Sequence, residues 1–325
     1  MNRRTTQGVT RALDKAILNV VESELAQLCS GKTAKEVAKE VYRALVAYRD
    51  LQDGVMPLYD EWEAMYYAAW YQSSHINLAY TLLNEIPPDR NPIRSGHHNL
   101  QAFDFGCGAF AALFGILLAA VDSLTEGENL PKVSIVSVDS SEPMLAIGRK
   151  IWAAFAKEIN KIREYPELSA VRQAFRALEF SPIQGKGTRH WLCAFHVAYE
   201  ENANKVAEYL TSKIASERPD LVIVTTHPGN KRNAFCPEQG QYIKREIRLG
   251  EDSFLLKGTF PLLTKFRSDL FDLKVKSHLP EEQEQFARIY LRNYPSAWVT
   301  NRFESQCFLN LRRISSNNDI DDLPF

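Results

Sequence analysis

The sequence predicts a doubly wound α/β fold, a mostly parallel sheet with helices on both faces, carrying an N-terminal helical cap. Three observations predict it. Apolar residues recur at helical spacing through the first part of the chain, a proline-rich break follows at Pro87–Pro92, and strand and helix patterns then alternate. The break divides the chain into a helical cap or lid, 1–92, and a sheet domain, 93–325.

From Thr10 to Arg49 the apolar positions Leu13, Ile17, Val20, Val21, Leu25 and Leu28, then Val37, Val41 and Leu45, describe two helices. Ser30-Gly31-Lys32-Thr33 separates them. Thr33 with Glu36 has the spacing of a capping box, in which hydroxyl and carboxylate satisfy free backbone donors at a helix start. Met56–Ile86 is a helical segment rich in Tyr and Trp, covered on more than one face. Pro87 and Pro88 end it, since proline cannot continue a helix and restricts its predecessor.

The alternation then reads as follows: strand Gln101–Phe105, helix Ala109–Leu124, strand Lys132–Val138, helix Pro143–Ile162, a short strand Ala177–Phe180, strand Trp191–Val197, helix Asn202–Ser216 and strand Leu221–Thr225. Such a series makes a parallel sheet covered on both faces. Beyond it the expected elements are a helix at Pro261–Phe271, a strand at Leu273–Ser277, a helix at Glu281–Tyr290 and a final strand at Cys307–Arg312. Ser315–Asp322 reads as a loose polar tail.

Bulk composition narrows the function classes. The chain has 325 residues, 45% hydrophobic and 24% charged, sufficient for a full core. Lys and Arg number 39 against 40 Asp and Glu, a net charge of −1, so no overall positive field advertises nucleic acid or an anionic membrane. The five cysteines are scattered, with no CxxC pair, which suggests neither a metal site nor a disulfide framework. No apolar run has the roughly 18 residues that span a bilayer, and the expected location is the cytoplasm.

The chemistry-bearing segment is Asp104-Phe105-Gly106-Cys107-Gly108, where an apolar strand enters a glycine turn and then a helix. Glycines let the backbone turn tightly and approach a ligand, and a helix N-terminus offers free N–H groups. The string Gly106-x-Gly108-x-x-Ala111 also satisfies a relaxed dinucleotide fingerprint. Asp104 argues against a dinucleotide: a carboxylate there repels a pyrophosphate but accepts from an amino group. The second strand ends in Asp139-Ser140-Ser141-Glu142-Pro143-Met144, and an acid in that place can take both hydroxyls of a ribose. Asp139, Ser140 and Ser141 are equally placed to cap the following helix.

These two motifs in order resemble motif I and the acidic second-strand motif of class I S-adenosylmethionine-dependent methyltransferases, over residues 99–230 and as far as 313. The resemblance implies a Rossmann-like sheet of seven strands, the last antiparallel, with Cys307–Arg312 as that strand. It implies S-adenosylmethionine as cofactor and S-adenosylhomocysteine as product, held by the turn from Asp104 to Gly108 at the methionine end, by Asp139 at the ribose, and by Ser140 or Met144 at the adenine. No metal is implied. The helix before the proline break and motif I also resemble methyltransferases linked to the small ribosomal subunit, although the clustered metal-binding cysteines of those proteins are missing. RNA is therefore an alternative acceptor, and a binding or assembly role without turnover an alternative function.

The acceptor itself is not written in the sequence. No Asn-Pro-Pro-aromatic tetrapeptide follows the fourth strand, which argues against the enzymes that use it to grip a planar nitrogen. His196 and His227 end neighbouring strands and are candidate bases for a small-molecule hydroxyl, carboxyl or amine acceptor; a histidine packed and hydrogen-bonded at a strand end is the plainer reading of His196. Tyr67, Trp70, Tyr71 and His75 are lid candidates, since aromatic faces attract a sulfonium and also serve as core.

Overall fold

A computed structural model of the chain describes residues 3–52, 59–86, 91, 99–123, 132–161, 178–179, 188–195, 203–217, 219–226, 243–249, 260–288 and 303–311. Four helices come first: α1 (Arg3–Cys29), α2 (Ala34–Gln52), α3 (Glu61–Trp70) and α4 (Gln72–Glu85). The α1–α2 pair and its capping box form as expected: the Glu36 N–H donates to Thr33 Oγ1 at 3.3 Å and the Thr33 N–H to Glu36 Oε2 at 2.7 Å.

Strands and helices then alternate: β1 (Asn99–Phe105), α5 (Ala111–Ser123), β2 (Val133–Val138), α6 (Glu142–Lys161), β3 (Leu178–Glu179), β4 (Thr188–Phe195), α7 (Ala203–Glu217), β5 (Leu221–Thr226), β6 (Ile243–Leu249), α8 (Pro261–Leu270), α9 (Glu281–Ala287) and β7 (Phe303–Leu311). The sheet order is β3-β2-β1-β4-β5-β7-β6. Strands β1 to β5 pair in parallel, and β7 runs antiparallel between β5 and β6.

Side chains alternate between the two faces, as a pleated strand requires. On one face Leu100, Ala102, Trp191, Cys193 and Ile223 join a core shared with α1–α6 and α8. On the other, Leu192, Ala194, Val222 and Val224, with Phe103 and Phe105, pack on Leu210 and Tyr209 of α7. The N-terminal helices thus continue the sheet's own core, with Leu13 and Ile17 of α1 in one cluster with Phe114 and Phe155. Ion pairs Lys15–Glu158 (3.0 Å) and Lys150–Glu24 (2.8 Å) border the α1–α6 contact.

One expectation fails and one strand was not foreseen. Leu273–Ser277 is not a strand: a π-helical turn over Phe271–Val275 and a 3-10 turn over Lys276–His278 extend α8. Phe271 and Val275, four apart, are buried and Lys274 and Lys276 exposed, so the apolar–Lys alternation imitates a strand while the burial follows a helix. Strand β6 was not among the expected elements, and its segment carries the charges of Lys244, Arg245 and Arg248. Ile243, Ile247 and Leu249 share one parity, the period-2 signal that those charges obscure. Arg312, Arg313 and the tail at Ser315–Asp322 lie outside the described residues, as do 87–90 and 92–98 around the proposed boundary.

Candidate active site

The chain runs outward from β1 through β2 to β3, then crosses back to β4 on the other side of β1. That reversal is a topological switch point, and ligands of open α/β sheets bind in the crevice beyond the strand ends there. Asp104, Gly106, Gly108 and Asp139 all lie at this edge.

Asp104 continues the buried stripe of Leu100 and Ala102 along β1. That stripe faces the helical core, so the carboxyl is 1% exposed, and its Oδ2 has no hydrogen-bond partner among the described residues. Burial, and then the charge of Asp139, push this carboxyl up to about 8. A buried acceptor without a donor is costly unless something supplies one.

The turn after β1 is the reverse case. Gly106 and Gly108 have φ of 65° and 52°, where a β-carbon is strained, and Phe110 adopts 69° as the chain enters α5. The Gly106 and Cys107 N–H groups both donate to Val138 O, at 2.7 and 3.1 Å, and the Gly108 N–H to Asp139 Oδ2 at 2.8 Å. A pyrophosphate-binding turn leaves such groups for the ligand. Here three successive donors are already bonded within the protein, while an acceptor is left over.

Asp139 therefore braces the glycine turn from β2. Its Oδ1 also accepts from the Ser141 N–H at 2.8 Å. The cap of α6 is Ser141: its Oγ accepts from the Met144 N–H (3.3 Å) and donates to Tyr59 O (3.2 Å). Ser140 is exposed and Met144 buried. A β-carbon placed on Gly108 would lie 3.2 Å from Met144 Cε and 3.6 Å from Tyr67 Oη, so three elements converge on that glycine. Phe105 turns to the other face and stacks on Tyr209 at 4.4 Å. Burial, with the charges of Asp104 and Asp139, pushes the Cys107 thiol far up, which removes it as a nucleophile.

Helix α3 begins at a capping box in which the Glu63 N–H donates to Asp60 Oδ1 (3.0 Å) and the Asp60 N–H to Glu63 Oε2 (3.3 Å). Arg43 of α2 braces both carboxylates. The Tyr71 backbone breaks α3 from α4, and Gln72 Nε2 then donates to Ala109 O at 2.6 Å, tying the break to the glycine turn. Across the break Tyr67 Oη lies 2.7 Å from His75 Nδ1. Tyr71 stacks on Tyr48 (4.9 Å) and Trp70 on Tyr66 (4.5 Å). Of the lid candidates, Tyr67 thus borders the turn and His75 is bonded to it, while Trp70 and Tyr71 stack on neighbouring rings.

Several contributors were not singled out in the sequence. Arg267 of α8, 3% exposed, donates from Nε to Ala69 O (2.6 Å) and from Nη2 to Ser73 Oγ (3.3 Å), holding the same break. Its burial lowers the guanidinium to about 10, still charged at neutral pH. Asp14 of α1 accepts from the Leu262 and Leu263 N–H groups at 2.9 and 3.2 Å, fixing the start of α8. An acid beside Leu13 in the apolar stripe of α1 was the available signal; Arg267 had none. His196 and His227 lie outside the described residues. Among the described residues no group of three His, Cys, Asp or Glu side chains could hold a metal ion, and no helix is long and apolar enough to cross a membrane.

No family model and no curated protein matches this chain. Among solved structures, the chain is similar to coclaurine N-methyltransferase bound to N-methylheliamine and SAH, at 12% identity and a TM-score of 0.30, over 91% of this chain and 99% of that one.

Proposed function

We propose that the chain is an S-adenosylmethionine-dependent methyltransferase whose cofactor lies in the crevice beyond β1 and β2. The observation that carries this reading is the donor and acceptor balance at the strand ends. Asp104 Oδ2 is buried and unpartnered among the described residues, whereas the N–H groups of Gly106, Cys107 and Gly108 are all bonded to Val138 and Asp139. Such a crevice suits a ligand that brings hydrogen-bond donors and positive charge. It suits a pyrophosphate poorly, since the donors of the turn are occupied and Asp139 borders it.

The residues present fit S-adenosylmethionine. Asp104 would accept from the amino group at the methionine end, and Gly108, with no β-carbon, admits close approach beside Met144 and Tyr67. Asp139 would take the ribose hydroxyls with the lone pairs its backbone bonds leave. When bound, this cofactor supplies an electrophilic methyl group. The protein's part is to hold the acceptor in line with it, exclude water, and remove a proton where the acceptor carries one. The proposed acceptor is a small-molecule hydroxyl, carboxyl or amine reaching the crevice beside the aromatic α3–α4 segment.

Calorimetric titration with S-adenosylmethionine tests the cofactor, and labelled-methyl transfer to metabolite, protein and RNA fractions tests the acceptor. Asp139→Asn keeps the side chain's volume but weakens both the ribose contact and the brace on Gly108. An affinity loss of about tenfold or more is expected. No heat with the parent protein, or unchanged affinity in the variant, sinks the assignment.

A further inference from the structure

We propose that Tyr67 and His75 form a hydroxyl–imidazole pair whose hydroxyl faces the reacting methyl and takes the acceptor's proton. The inference rests on the cofactor assignment above. It also supplies a base from described residues, independently of the two strand-end histidines.

Tyr67 is 8% exposed, and a buried tyrosine hydroxyl ordinarily finds one hydrogen-bond partner. Here a partner is the only side-chain type that titrates near neutrality without perturbation. The 2.7 Å Oη–Nδ1 separation spans the break between α3 and α4, and both sides of that break are held in place. Gln72 ties it to Ala109 O on the glycine turn, and Arg267 ties Ala69 O to Ser73 Oγ. A pair needed only to join two helices has no reason to sit over a ligand turn. This one does, since the hydroxyl lies 3.6 Å from where a β-carbon on Gly108 would be. His75 is half-buried. The rings of Tyr71 and Tyr48 lie 6.3 Å from that of Tyr67, centroid to centroid.

The proton route follows from this arrangement. The acceptor's O–H or N–H lone pair forms the new bond to the methyl carbon, and the pair of the broken carbon–sulfur bond stays on sulfur. The acceptor's proton passes to Tyr67 Oη as Tyr67's own proton passes to His75 Nδ1. Once the methylated product has left, Tyr67 Oη gives its proton to water entering the crevice and takes back the proton on His75 Nδ1, which restores the hydroxyl and the unprotonated Nδ1. The acceptor class this requires is a protic oxygen or nitrogen.

The test needs no acceptor. S-adenosylhomocysteine lacks the methyl, whereas sinefungin carries an ammonium group in its place that can donate to a hydroxyl facing it. Both ligands are titrated calorimetrically into the full chain and into Tyr67→Phe. The expected result is a loss of about tenfold in sinefungin affinity, with S-adenosylhomocysteine affinity unchanged, the latter also showing that the variant is folded. Equal losses for both ligands would place the hydroxyl at another part of the cofactor, and no loss would place it outside the site; either overturns the proposal. Absence of binding of both ligands to the parent overturns the cofactor assignment and this inference with it. Nitrogen NMR of labelled histidine gives a second reading. His75 Nδ1 should be an unprotonated acceptor whose signal shifts in Tyr67→Phe, and a protonated Nδ1 in the parent excludes the relay.

Discussion

At the scale of single residues, Asp104 is a buried acid held at a cost to stability. Its carboxyl is raised from 3.8 to about 8, so between those values the folded chain holds a proton that the unfolded chain has released. Stability therefore falls as pH rises from about 4 to about 8 and is level above that. Asp104→Asn cannot ionise and escapes this loss. Melted without ligand at pH 8, the variant should exceed the parent by about 2 °C or more, with the gap closing toward pH 5. A gap that does not depend on pH contradicts the account. The glycines and both acids were legible in the sequence because turn chemistry and an acid ending an apolar strand are local patterns. That the turn's N–H groups are bonded to Val138 and Asp139 was not legible, since a partner some thirty residues away is chosen by the parallel register of β1 and β2.

At the scale of elements, the α4–α5 contact depends on Gly115. A β-carbon there would come within 2.5 Å of Ala79 Cβ and 2.9 Å of the Tyr80 nitrogen. Alanine favours a helix over glycine by about 1 kcal/mol, but overpacking against backbone costs roughly 1–3 kcal/mol. Gly115→Ala should therefore lower the urea midpoint. The start of α8 gives a second case. Asp14→Ala removes the acceptor for the Leu262 and Leu263 N–H groups, and a loss of about 1–2 kcal/mol by urea unfolding is expected. Most elements were legible from their periods, including the hairpin with its Thr33–Glu36 box. The errors came where charge and period conflicted. Lys274 and Lys276 disguised a helical turn as a strand, and Lys244, Arg245 and Arg248 obscure the alternation of β6.

At the scale of the molecule, the α/β architecture followed from the alternation of periods after the proline break. Its consequence for function is the switch point at β1, which no local pattern reveals. Strand order places Asp104 and the glycine turn beside Asp139, and the helical core against β1 is what desolvates Asp104. Asp14 and Arg267 bind α8 to α1 and to the α3–α4 break across sequence separations of 194 residues and more. Such pairings belong to the folded chain alone. The central claim is that this crevice accepts a donor-bearing, positively charged cofactor through Asp104 and refuses a pyrophosphate. Calorimetric titration of the parent and of Asp104→Asn with S-adenosylmethionine and with NAD tests it directly. The account predicts binding of S-adenosylmethionine to the parent, a loss of at least about tenfold in the variant, and no heat with NAD in either. Binding of NAD, or equal affinity of parent and variant for S-adenosylmethionine, would contradict it.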